Sequence, residues 1–163
     1  MKKIENQKTS IYLTDRTIDI INDYPNYAMP IGTQKLEYKV SEMVNSLHST
    51  SIQTRLELKN YFTVNEAAVL CDIHNGYINP SYEISKQLLI LNFIDACELE
   101  HIDEKWNIDK YVLINKLEKL TTFQVYVVKL LINMFWDSED KSKTIMKKIA
   151  EIFLIDYEET IEA

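Results

Sequence analysis

The chain has 163 residues, 46% of them hydrophobic, with only two glycines and three prolines. That is enough apolar material for a real core, and it argues against disorder, a hairpin-rich β fold or a glycine-rich phosphate loop. A formal net charge of −7 argues against a strongly basic nucleic-acid binder.

The charge is unevenly spread. Residues 1–62 hold eight Lys/Arg against seven Asp/Glu, and residues 63–163 hold ten against eighteen, so the acidity lies in the C-terminal two thirds. At the start, Thr9–Leu13 alternates as a strand, with Ile11 and Leu13 on one face and Ser10 and Tyr12 on the other. Thr14 then suits the cap of a first helix carrying Ile18, Ile21 and Tyr24 at helical spacing, with Asp15 at its positive dipole end and Pro25 as its stop. Pro25 to Gly32 reads as a loop. A second helix is expected from Thr33 to Leu47, with Leu36, Val40, Met43, Val44 and Leu47 on one stripe.

The polar run His48–Ser51 is the expected boundary between a front module, residues 1–50, and a helical bundle domain, residues 51–163. A third helix is expected over Ile52–Tyr61. Thr63 and Glu66 match a capping box opening a fourth helix, which Asn75-Gly76 should end. Asn79-Pro80 restarts the chain into a fifth helix reaching Leu99. Glu98 to Asn107 is charged and turn-like apart from Trp106, and a sixth helix is expected over Ile108–Leu120. Thr121 and Gln124 form a second capping-box pattern before the most apolar segment. Thr122–Val128 also reads as an alternating strand, because Val125, Val127 and Val128 are β-branched. Its continuation through Met134 favours a helix. The last helix, Glu139–Tyr157, is expected to put Ile145, Ile149, Ile152 and Phe153 on one side.

Strand, helix, glycine-containing loop and helix within the first fifty residues resemble the ribbon-helix-helix DNA-binding family of the Arc, MetJ and CopG type. The resemblance implies a dimeric ribbon-helix-helix module over these residues, and with the helices expected after it the fold class is mainly α, with an all-helical C-terminal domain. It also implies an antiparallel β-ribbon, made by two chains, lying in the major groove of double-stranded DNA. Carried over by position, Lys8, Ser10 and Tyr12 would read base edges. Thr33, Gln34 and Lys35, at a helix N-terminus, would hold a phosphate. Ile11, Leu13, Ile18, Ile21, Val40 and Val44 would form the dimer core. The implied function is a dimeric sequence-specific DNA-binding protein, such as a transcriptional repressor or a plasmid or phage accessory factor. Two alternatives stay open: Thr9–Leu13 as an arm packed on a helical domain, and a non-DNA helical adaptor or inhibitor that binds another protein.

Other motifs carry less. Cys71-x-x-His74 and Cys97-x-x-x-His101 have the residue types of a zinc site. Placed at far ends of successive antiparallel helices, however, they point apart, and two buried apolar cysteines are expected instead. His48 reads as a surface histidine. No nucleophile elbow, metal-binding helix motif or phosphate loop is present, so neither an enzyme nor a cofactor nor a metal is expected. Ten tyrosines are scattered without basic interleaving and read as packing residues. No apolar run reaches the roughly 18 residues of a membrane span. The polar N-terminus and two cysteines lead to an expectation of a cytoplasmic protein without disulfides.

Overall fold

A computed structural model of the chain describes residues 14–23, 36–74 and 86–158. Its elements are α1 (Asp15–Asp23), α2 (Leu36–Glu57), α3 (Val64–Ile73), α4 (Lys86–Glu100), α5 (Ile102–Lys105), α6 (Lys110–Glu118), α7 (Thr122–Asp137) and α8 (Ile145–Ile152). The chain divides into two compact units, Met1–Ser49 and Thr50–Ala163.

In the first unit, α1 begins where a hydroxyl can cap it. The Thr14 Oγ1 accepts the Thr17 backbone N–H at 3.2 Å, satisfying one of the donors a helix N-terminus leaves over. The mainly α class holds, but the ribbon-helix-helix expectation is corrected. Among the described residues there is no β-strand, and the expected strand Thr9–Leu13 lies outside them. The helix expected to stop at Leu47 continues to Glu57, absorbing the separate helix expected from Ile52. The physical reason is that His48-Ser49-Thr50-Ser51 contains neither proline nor glycine. Residues of this kind cost a helix about half a kcal/mol each relative to alanine, too little to break it.

The second unit is organised around α3. Ala67, Ala68, Val69, Leu70 and Cys71 are consecutive and all buried, so this helix is enclosed on every side rather than along one stripe. It packs against α4, α7 and α8; α4 packs against α5 and α6, and α7 against α8. Phe93, Leu113, Leu117, Val125, Val128, Leu131 and Ile132 complete the core with Ile149 and Phe153. The α7 segment is a helix, which settles the strand-or-helix alternative for Thr122–Val128. Both capping boxes form. Thr63 and Glu66 exchange bonds at 2.9 and 3.1 Å, and Thr121 and Gln124 at 2.8 and 3.2 Å.

The turn-like segment around residue 100 is corrected in part, since Ile102–Lys105 forms one helical turn with Ile102 buried. The last helix is shorter than expected. Thr144 caps it, accepting from the Lys147 N–H, so the expected Glu139 start is replaced, and Ile145 is 60% exposed at its first position. The expected helix boundaries at Asn75-Gly76 and Asn79-Pro80 lie outside the described residues.

Helix C-termini in this unit are closed by side chains from distant parts of the chain. The Arg55 guanidinium donates to the Ile152 carbonyl at 2.8 and 3.0 Å, at the end of α8. Lys86 Nζ donates to the Glu118 and Leu120 carbonyls at 2.7 and 3.1 Å, at the end of α6. Trp136 Nε1 donates to the Cys71 carbonyl at 3.0 Å, near the end of α3. In each case a positive or N–H-bearing group meets the negative end of a helix, where free carbonyls collect.

Candidate functional site

The helix α4, like α7, has no basic residue in its last turn, which holds Glu98 and Glu100. It is also apolar on two sides. Leu89, Phe93 and Cys97 are buried, while Leu91 is 55% and Leu99 is 81% exposed, with Leu88 exposed as well. A globular helix needs one apolar stripe, and a helix apolar on both sides is usually covered on both.

Beside this outward face lies a groove of about 330 Å³, lined by Asp72 and Ile73 at the end of α3 and by Asn92, Asp95, Ala96, Leu99 and Glu100 of α4. The α4 positions fall at steps of three, four, seven and eight residues, so they share one helix face. The α3 wall is rigidly held. Asp72 Oδ2 accepts Lys105 Nζ and Trp106 Nε1, each at 2.8 Å, and Lys105 Nζ stands 5.6 Å from the centre of the Trp106 ring. Burial pushes the Asp72 carboxyl up, but the hydrogen bonds from Lys105 and Trp106 outweigh it and hold the group below the usual carboxylate value. Asp72 is thus ionised and fixed. Among the described residues, Asp95, Glu98 and Glu100 have no cation paired with them. The negative end of α4 and four carboxylates, of which Asp72 is already paired with Lys105, border this apolar shelf.

A second cavity, of about 360 Å³, is lined by Thr63–Glu66 and Asn107–Asp109 at the starts of α3 and α6. Its capping and charged groups are already engaged. Thr63 and Glu66 close the α3 cap, and Asp109 Oδ1 accepts the Tyr111 and Val112 N–H groups at 2.9 and 3.3 Å. Glu66 Oε2 also takes Lys116 Nζ at 2.7 Å, with Glu66 buried. This is a structural joint between α3 and α6.

The residues expected to bind DNA are not among those the structure describes. Lys8, Ser10, Tyr12, Thr33, Gln34 and Lys35 lie outside the described residues, as do Ile11 and Leu13. Ile21 lies in α1, Ile18 is 38% exposed there, Val40 is half-buried in α2, and Val44 is 59% exposed. Cys71 and Cys97 are both buried thiols. Burial and the neighbouring Asp72 charge push Cys71 up to about 12, and burial, with Asp103 adding to it, also raises Cys97. No group of three or more His, Cys, Asp or Glu side chains among the described residues is placed to hold a metal. No helix among them is long and apolar enough to cross a membrane.

Leu91, Asp95, Leu99, Glu100 and Asp72 were not expected to form a site. The available signal was in α4 itself, where leucines at 88, 91 and 99 supplement a face already complete with Leu89, Phe93 and Cys97. Comparison with family models, with curated proteins and with solved structures finds no match for this chain.

Proposed function

We propose that this chain is a helical protein-binding module that docks a partner on the outward face of α4. The observation carrying this reading is that α4 is apolar on both sides and buries only one, leaving Leu91 and Leu99 exposed beside a shaped groove. An apolar surface rimmed by charged residues is the usual form of a protein interaction site, and two leucines one face apart match helix-in-groove recognition. The charge distribution supports a protein partner over DNA. Thr50–Ala163 carries twelve Lys/Arg against nineteen Asp/Glu, so its field repels phosphate.

The test is site-specific photo-crosslinking in the producing cell. A photoreactive residue at Leu99 or Leu91 is expected to give a discrete protein adduct that the same residue at exposed Tyr157 does not. Equal labelling at all three positions overturns the reading. So does retention of random duplex DNA at low salt by the intact chain.

A further inference from the structure

From the electrostatics of the groove we infer the chemistry of the occupant: a basic amphipathic helical segment of another protein. This rests on the docking reading above and specifies its partner. The groove is lined by three carboxylates, Asp72, Asp95 and Glu100, together with Ile73, Ala96 and Leu99. Glu98 stands in the same last turn of α4.

A helix C-terminus carries about half a negative charge and favours cations. The sequence instead places two glutamates in the last turn of α4, which has no basic residue there, whereas Asp72 in the last turn of α3 is already met by Lys105. Elsewhere the same unit closes such ends internally, with Arg55 on α8 and Lys86 on α6. Among the described residues no cation is paired with Asp95, Glu98 or Glu100, and the exposed Leu91 and Leu99 lie on the same helix. A helix with lysines or arginines flanking an apolar stripe answers both. Its apolar side chains cover Leu91 and Leu99, while its cations meet Asp95, Glu98 and Glu100 under partial exclusion of water. From Leu91 to Leu99 the shelf is about 12 Å long, the length of about two helical turns.

The probe is an N-acetylated Leu/Lys amphipathic helix about fifteen residues long, long enough to hold helical structure on a surface. Two counterparts replace every lysine with glutamine or with glutamate. Binding is measured by titration calorimetry, and the contact surface is mapped by amide shifts of the intact chain. The Lys probe is expected to bind saturably and to move the amides of Asn92–Glu100 and Asp72–Ile73. It should lose at least tenfold in affinity to both D95K/E100K and L91A/L99A, and change less than twofold with E139K/E158K, an equal charge change elsewhere. All four positions in these two charge variants are exposed, and circular dichroism checks that each variant is folded.

Equal loss with E139K/E158K overturns the inference, because attraction is then set by net charge alone. Tighter binding of the Gln or Glu probe, still sensitive to L91A/L99A, overturns it while the docking reading survives. Absence of binding by every probe also overturns it, and the Leu99 crosslink then decides separately whether the docking reading stands. Concentration-dependent self-association abolished by L91A/L99A overturns it by naming a second copy as the occupant.

Discussion

Cys71 and His74 are one helical turn apart, and each is a sensitive reporter of its surroundings. The Cys71 thiol is buried and pushed up to about 12, so almost none of it is thiolate near neutrality. Iodoacetamide at about pH 8 is expected to leave Cys71 unmodified in the native chain and to alkylate it fully in urea, as read by peptide mass spectrometry. His74 responds to pH instead. Its Nε2 is buried with no hydrogen-bond partner, and burial, reinforced by the Lys129 charge, holds its pKa below the ordinary 6.5. The unfolded chain therefore binds the proton first as pH falls, and stability drops from about pH 6.5 downward until the folded group titrates too. His74→Gln is expected to flatten that slope in urea titrations across the window. The Asp72 carboxyl, depressed by its Lys105 and Trp106 bonds despite burial, acts lower: its contribution is present above the ordinary value of 3.8 and is lost as pH falls through its folded value.

At the scale of elements, start signals carried more information than stop signals. A helix start is a local chemical event, a hydroxyl meeting a backbone N–H three residues on, and the Thr63/Glu66 and Thr121/Gln124 boxes were legible for that reason. The end of a helix here is often a tertiary event. Arg55 closing α8 lies 97 residues from Ile152, and no local pattern announces such a bond. A polar run without proline or glycine was equally misleading, since α2 passes through His48–Ser51 unbroken. Two mutations test these elements. His48→Pro removes an interior helix bond and clashes with the preceding turn, so the α2 helix is expected to lose about 3 kcal/mol and ellipticity at 222 nm. A loop at this position would tolerate the change. Glu66→Ala removes the reciprocal half of the α3 cap and leaves Lys116 without its partner at 2.7 Å. A loss of about 1–2 kcal/mol is expected by urea unfolding. Adding Lys116→Met should recover part of it, because an unpaired, half-buried cation is then no longer left behind.

On the scale of the whole chain, stability and the proposed docking draw on different features of the second unit. Every buried hydrophobic residue among the described ones lies between Leu58 and Phe153, and α3 at their centre is closed on all sides. The apolar pattern made that core legible as a set of helices, but not α3 as its hub, because being enclosed depends on which neighbours arrive. The candidate site was illegible for a related reason. Leu91 and Leu99 look like core leucines in a sequence, and only the packing of Leu89, Phe93 and Cys97 inward shows that they face out. A chain beginning at Thr50 keeps the whole described core and the groove at Asp72 and Glu100. Such a chain is expected to unfold in one cooperative urea transition, because the buried cluster is continuous and lies within it. It should also retain the inertness of Cys71, which depends on the same packing. A broad transition, or alkylation of Cys71 in the shortened chain, would show that residues 1–49 complete the core. With the core intact, any loss of partner binding on removing those residues would place part of the recognition surface in the first unit.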